Sequence, residues 1–323
     1  MTTRVAVAIP FFQREPGLLL RAVRSVLAQT GPVSPWIVVV DDSSPIPAEA
    51  ELADLDAAAR TKIDIRHRPN GGCGNARNTA FDALPGDIEF VALLDADDAW
   101  KDDHLRRALE VFELGYDFYF SDACWENDPA GVLAGVGMDP AEHTPIGPDL
   151  HAVAGDFFDR CLRRAPVPVS TAVWRRTRLG HLRFARDLRP LCEDLLFWLD
   201  VARATDRIAY GARIGAVYGY GVSLSRSDDW ASAKALANAG AYAQYFREVR
   251  RRFPLTPDQA RFVDAKIRQG RMDFAITVAG MIRRGRAPDP RLIARFLARD
   301  PWAVAALPAA LASRLVRRGE SRG

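Results

Sequence analysis

The chain has 323 residues, 48% of them apolar, a formal charge of +3 and four cysteines, enough for a sizeable core in one large domain with an appendage or in two domains, which excludes a disordered protein. The small charge, with no basic run interleaved with aromatics, speaks against nucleic acid as a partner. Cys73, Cys124, Cys161 and Cys192 are too scattered for a zinc or redox site, and with no signal peptide at MTTRVAVAIP a reduced, cytoplasmic protein is expected.

Val5 to Ile9 reads as a short buried strand that Pro10 ends before a polar turn, Gln13-Arg14-Glu15-Pro16-Gly17. Leu19, Leu20, Val23, Val26 and Leu27 then recur at helical spacing, and Trp36 to Val40 is a second buried strand closing in Asp41-Asp42. Strand, helix and strand at this spacing form a right-handed crossover of a parallel sheet. Ile63 to Arg66 is a third strand, followed by the glycine-rich PNGGCGNARN of residues 69–78. Its glycines allow close backbone approach, the following helix offers N–H groups to an anion, and Arg77 in the expected first turn adds a fixed cation. The other reading of this stretch is a flexible loop with a helix start. It is neither a G-x-G-x-x-G fingerprint nor a Walker loop.

Phe90 to Leu94 is the most apolar strand, expected mid-sheet, and it stops at Asp95-Ala96-Asp97-Asp98. Along an extended chain Asp95 and Asp97 point the same way, and clustered carboxylates at a strand tip suit a hard divalent cation, Mn²⁺ or Mg²⁺. The competing reading is a cap for a helix beginning near Lys101. Phe118 to Phe120 is a further strand ending at Ser121-Asp122. Residues 127–148, rich in Gly, Pro and Asp, form the least structured stretch and a candidate mobile loop. Val167 to Trp174 resembles a strand. Glu193-Asp194 opens an apolar helix, either as charges favoured by its dipole or as a desolvated general base. Tyr218 to Ser225, YGYGVSLS, is a turn expected to close over a ligand. A helical region is expected from Asp229 onward. Arg283 to Arg318 sets nine arginines against two aspartates, with Leu292, Ile293, Phe296, Leu297 and Trp302 on one face. That pattern suits an anionic membrane surface, or the solvated face of a helical appendage or homodimer element.

Taken together, VAIPFFQRE, SVLAQT, VVVDDSS, NGGCGNARNTA, LLDADDAW and CEDLLFW resemble the family 2 glycosyltransferases of the GT-A fold from Val5 to about Ser225, and within that family the bacterial succinoglycan-type exopolysaccharide enzymes. The resemblance implies an α/β fold, a mainly parallel Rossmann-like sheet flanked by helices, with residues 1–228 as the nucleotide-sugar and catalytic domain and 229–323 as a helical extension. Asp42 would bond the uracil N–H, with Phe12 near the base and Pro10, Glu15, Gly74 and Ala96 also lining the nucleotide. Arg77 would meet the phosphates. Asp95 would contact the ribose or metal-bound water, Asp97 would hold Mn²⁺ or Mg²⁺, and Asp194, beside Glu193, is the expected base. Relatives carry a metal-binding histidine in the segment equivalent to 218–225. Here it has none, which leaves the third ligand open between Tyr220 with water and a looser metal. The implied activity is inverting transfer of a sugar, glucose foremost, from a UDP-sugar to a lipid-linked or polysaccharide acceptor at the cytoplasmic membrane face. A non-catalytic sugar-nucleotide module and a metal-dependent nucleotidyltransferase are the alternatives.

Overall fold

The computed structural model describes residues 2–219 and 229–305. Their contacts divide the chain into two compact units, residues 1–186 with 194–222, and residues 187–193 with 223–323.

The first unit is built on one sheet. Its elements in order are β1 (Thr3–Phe11), α1 (Leu18–Leu27), β2 (Val33–Asp41), the short helices α2 (Ala48–Glu51) and α3 (Ala57–Arg60), β3 (Ile63–His67), α4 (Cys73–Asp82), β4 (Phe90–Leu93), β5 (Ala99–Trp100), α5 (His104–Glu113), β6 (Phe118–Trp125), β7 (Thr144–Gly147), β8 (Leu150–Ala152), α6 (Phe157–Arg164), β9 (Val173–Arg175), α7 (Arg176–Leu179), α8 (Glu193–Ala204) and β10 (Ile208–Tyr218). The strands lie in the order β3-β2-β1-β4-β9-β6-β10-β8-β7, with β5 pairing β10. β3, β2, β1 and β4 are mutually parallel, β9 runs against both β4 and β6, and β10 is parallel to β6. Val5, Val7, Ile9, Ile37, Val39 and Ala92 pack with Leu19, Val23 and Val26 of α1 in one continuous core, because a strand covered by helices on both sides leaves no face for polar residues.

Several expectations change in detail. β1 does not end at Pro10 but runs to Phe11, with Pro10 paired to Val40. β6 passes Ser121-Asp122 and continues to Trp125. Residues 127–148, expected to be the least structured stretch, contain regular elements. They hold two short 3-10 turns and β7, and they are anchored by Asp122, whose Oδ1 accepts from the Val132 and Leu133 amides at 2.8 and 3.0 Å. The predicted strand Val167 to Trp174 is interrupted by a 3-10 turn, Val169–Thr171, and β9 pairs only from Val173.

The second unit is helical: α9 (Ala233–Arg252), α10 (Pro257–Arg283) and α11 (Pro290–Arg299), with a 3-10 turn at Pro301–Ala305. Thr256 starts α10 with a reciprocal capping box to Gln259, which satisfies two otherwise unpaired backbone donors. The apolar face of α11 is not free for a membrane: Phe296 stacks on Phe274 at 3.9 Å, and Ile293 and Leu297 pack on the same cluster. Trp302 does remain 74% exposed. No helix among the described residues is long and apolar enough to cross a membrane.

Candidate active site

Because β1, β2 and β4 are parallel, their C-terminal ends share one edge, and the chain leaves them as Phe11-Phe12, Asp41-Asp42 and Leu94-Asp95. β1 lies between β2 and β4, the point where strand order reverses and an open α/β sheet leaves a crevice.

At the tip of β4, Asp95 to Asp98 form a turn closed by the Asp98 amide donating to the Asp95 carbonyl at 3.1 Å. The chain is not extended there, so the alternation argument for Asp95 and Asp97 fails. The cap reading fails too, since β5 intervenes and α5 begins at His104 behind Asp103. Asp98 turns into the core, where it accepts from the Ser170 hydroxyl at 2.5 Å and the Gly219 amide at 3.0 Å. Ser170 Oγ also accepts from the Asp95 amide at 3.0 Å, so one hydroxyl ties both ends of the turn. Only glycine fits at 219, because a Cβ there would lie 1.9 Å from the Asp97 carbonyl oxygen. Burial drives the Asp98 carboxyl well above the ordinary carboxylate range, and the charges of Asp95 and Asp97 add to the rise while Ser170 and Gly219 oppose it.

Arg77 is the fifth residue of α4, a turn later than expected, and is 2% exposed. Its guanidinium bonds Asp95 Oδ1 at 2.6 Å and lies 5.1 Å from the centre of the Phe184 ring. Phe184 is held in place by Asn78, whose side chain donates to its carbonyl and accepts from its amide, both at 2.9 Å. Asn75 adds a bond to the Arg186 carbonyl at 3.1 Å. The NARN stretch is therefore a clamp as well as a helix start.

Asp194 is the second residue of α8, and its Oδ1 accepts from the Leu195 amide at 2.8 Å. Burial raises its carboxyl above the usual range. Arg77 and the Leu195 amide pull it back, and Asp95 pushes it up again. Part of its surface still reaches solvent. Asp95, Arg77 and Asp194 thus sense one another, and such a desolvated carboxylate beside a fixed cation can take a proton from a hydroxyl while the cation meets an anionic group. Just before it, Cys192 holds φ at +72°, a left-handed conformation uncommon outside glycine.

Asp42, the residue expected to bond the uracil N–H, is buried under the glycine loop. It is 3% exposed, and its carboxylate accepts from the Gly71 and Gly72 amides and from Arg68 at 2.6 Å. The glycine loop therefore turns its amides toward Asp42 itself. Phe12 is half-buried with Arg14 5.9 Å from its ring centre. Pro10, Gly74 and Ala96 are buried in β1, α4 and the β4 turn. Glu15 is exposed, with no hydrogen bond or ion pair among the described residues, and stands outside the cluster. Glu193, first in α8 and half-buried, is counted with the second unit. Tyr220 and most of the YGYGVSLS turn lie outside the described residues. Sequence reasoning missed Arg68, Ser170 and Asn78. Arg68, directly before the glycine-rich stretch, carried a signal, whereas Ser170 in VPVST carried none.

The donor set at the β4 turn fits a hard divalent cation, since Asp95 and Asp97 put oxygen ligands close together while Asp98, raised chiefly by burial and further by their charges, is turned into the core. Asp95 and Asp97, both half-buried, are the candidates to face such an ion, but no third ligand atom joins them within 4.8 Å among the described residues. A three-member set does occur at Asp41, Glu49 and His67. There Asp41 already accepts from the Ser44 and Ala48 amides, and Glu49 and His67 form an exposed pair at 2.7 Å.

A largely parallel sheet with acidic strand ends at its switch point, followed by helices, is the architecture of the GT-A glycosyltransferases. The fold matches the crystal structure of S. aureus TarS 1-349 in complex with UDP, at TM-score 0.54 and 16% identity, over 98% of this chain and 92% of that one. It also matches the mannosyltransferase PcManGT from Pyrobaculum calidifontis in complex with GDP-Man and Mn²⁺, at TM-score 0.52 and 17% identity, over 98% and 87%. Against the longer crystallised TarS chain the TM-score is 0.57 at 16% identity, and this chain spans 54% of its length.

The family model for glycosyl transferase family 2 matches residues 6–125. The succinoglycan biosynthesis protein ExoW of Rhizobium meliloti is 31% identical over 311 residues, 92% of this chain and 94% of that protein. ExoO of the same organism is 39% identical over 92 residues, 28% of this chain and 25% of its own. The chain belongs to glycosyl transferase family 2 and is a glycosyltransferase.

Proposed function

We propose that this glycosyltransferase inverts the anomeric carbon as it moves a sugar, glucose from UDP-glucose, to a hydroxyl of a lipid-linked oligosaccharide or polysaccharide. The setting is exopolysaccharide or other cell-surface glycan assembly at the cytoplasmic membrane face. The observation that carries this reading is the Asp194 carboxyl, raised by burial and by Asp95 and held beside the buried Arg77. The similarity to ExoW supports the pathway, and the fold shared with a UDP complex supports the donor class.

Asp194 takes the acceptor proton as the hydroxyl oxygen attacks the anomeric carbon from the face opposite the diphosphate. The bond from that carbon to the diphosphate oxygen breaks, and Arg77 meets the charge that gathers on the leaving group. One base is enough, and the configuration inverts. Asp97 with Asp95 would hold Mn²⁺ or Mg²⁺, which would supply further neutralisation of the diphosphate. Asp42, held by Gly71, Gly72 and Arg68, reads the base, with Phe12 beside it.

Positioned general bases contribute on the order of 10² to 10⁴ in rate. Asp194→Asn is therefore expected to lose at least a hundredfold in kcat while UDP affinity, read by calorimetry, stays within about twofold. Retention of wild-type turnover by Asp194→Asn would remove the base from this role.

A further inference from the structure

The helical unit forms a half-open cavity of about 390 Å³, within the size range of small-molecule sites. Its lining is of two kinds. Leu236, Gly240, Ala241, Phe274, Leu292 and Phe296 make it apolar, and Arg189, Arg247, Arg295 and Arg299 bring four guanidinium groups to it. The one carboxylate present, Asp300, is 1% exposed and already committed to Arg247 at 2.6 Å and to Arg271 through two bonds at 2.8 and 2.9 Å. Arg299 bonds only the neutral Gln244, and Arg295 has no carboxylate partner among the described residues. Arg295 and Arg299 thus bring positive charge that Asp300, held by Arg247 and Arg271, does not compensate, beside a wall of apolar side chains from the unit's core.

We propose that this cavity binds an amphiphilic phosphate, with the hydrocarbon chain against Phe274, Phe296 and Leu236 and the head against Arg295 and Arg299. Resting on the lipid-linked acceptor proposed above, its ligand is the lipid-phosphate end of that acceptor, which would tether the growing glycan to the enzyme independently of the donor site. Neither half of the site suffices. Arginines without the apolar wall would hold any anion, and an apolar wall without arginines would hold any hydrocarbon.

Gly240 provides a plug. A Cβ built there meets the Phe274 and Phe296 rings at 3.7 Å, ordinary contact distance, so a side chain can start from this position, and Gly240→Leu is expected to fill space in the cavity. Arg295→Glu reverses the charge at an exposed position where folding is not at stake.

The test is calorimetric titration of the full chain with monomeric dodecyl phosphate, dodecyl maltoside and inorganic phosphate. Dodecyl phosphate is expected to bind at least tenfold more tightly than either control, and Gly240→Leu and Arg295→Glu are each expected to weaken it at least tenfold. Thermal melting of Gly240→Leu checks that it folds. Equal binding of dodecyl maltoside or of inorganic phosphate, or unchanged binding in both variants, would overturn the proposal. A second arm separates the sources. Wild-type sedimentation with vesicles containing phosphatidylglycerol that is lost in Gly240→Leu assigns the phosphate to a bilayer lipid and overturns the acceptor assignment. Dodecyl phosphate binding without vesicle binding upholds it. Hydrolysis of the donor by water is expected to be unchanged in both variants, so a failure here is distinguishable from a failure of the transfer mechanism.

Discussion

At Asp98 burial outweighs the two hydrogen bonds the carboxyl accepts, and the neighbouring charges of Asp95 and Asp97 push the same way. A carboxyl whose pKa is raised by folding holds its proton more tightly in the native state. Its contribution to stability is present below the ordinary value of about 4 and is lost as pH climbs through the raised value. Asp98→Asn keeps the shape and removes the charge, so its melting temperature is expected to fall less than that of the wild type between pH 4 and 8. Parallel melting curves for the two proteins would show that Asp98 does not titrate in this way. The sequence marked the acidic triplet, but not the division of labour within it. Asp95 pairs with Arg77 and Asp98 with Ser170, and a bond between residues 72 positions apart leaves no local trace. Asp42 shows the same limit: its place after β2 was readable, while its burial under Gly71, Gly72 and Arg68 depends on the return of a distant loop. The same crowding predicts metal dependence. Removal of divalent ions with EDTA is expected to weaken UDP binding at least tenfold, because the carboxylates of Asp95 and Asp97 would then repel the diphosphate without a cation between them. Equal calorimetric affinity with and without EDTA would count against both as ligands.

Among the elements, those buried on both sides could be read before any coordinates, because β1, β2 and β4 are near-continuous apolar runs and α1 has a clean helical stripe. β10 escaped that reading. Its sequence, IAYGARIGAVY, is broken by Gly211 and Gly215, and both sit where the backbone passes close to β6 side chains. A Cβ at Gly215 would lie 2.1 Å from Ser121 Oγ, and one at Gly211 would lie 2.7 Å from the Tyr119 hydroxyl. The pairing of β6 with β10 shifts register between Gly211 and Ala216, so no simple period survives there. Residues 127–148 misled for another reason: their Gly and Pro content resembles a loose loop, but Asp122 supplies an anchor from a strand that was expected to end at that very residue. Asp122 Oδ1 accepts from the Ala123, Val132 and Leu133 amides. Val132 keeps a bond to the Ala123 carbonyl, but removing Asp122 takes the side-chain acceptor from the buried Leu133 amide, and an unpaired buried donor costs about 1–3 kcal/mol. Asp122→Ala is therefore expected to expose residues 127–148 to limited proteolysis that leaves the wild type intact, and equal cleavage rates would mean the segment is held by other contacts.

For the molecule as a whole, strand direction decides what can be an active site. Four adjacent parallel strands send Phe12, Asp42 and Asp95 to one edge, and α4 and α8 bring Arg77 and Asp194 toward Asp95. The helical unit has a core of its own, centred on Phe274 and Phe296. Among the described residues of the basic apolar stripe, Ile293, Phe296 and Leu297 pack on that core while Trp302 stays exposed. The central claim is that Asp194 is the single base of a one-step displacement, and the configuration of the transferred carbon tests it most directly. NMR of the sugar at the earliest stage of UDP-glucose turnover, with water as acceptor, is expected to show the β-anomer from the α-linked donor. The α-anomer as the first product would contradict the mechanism.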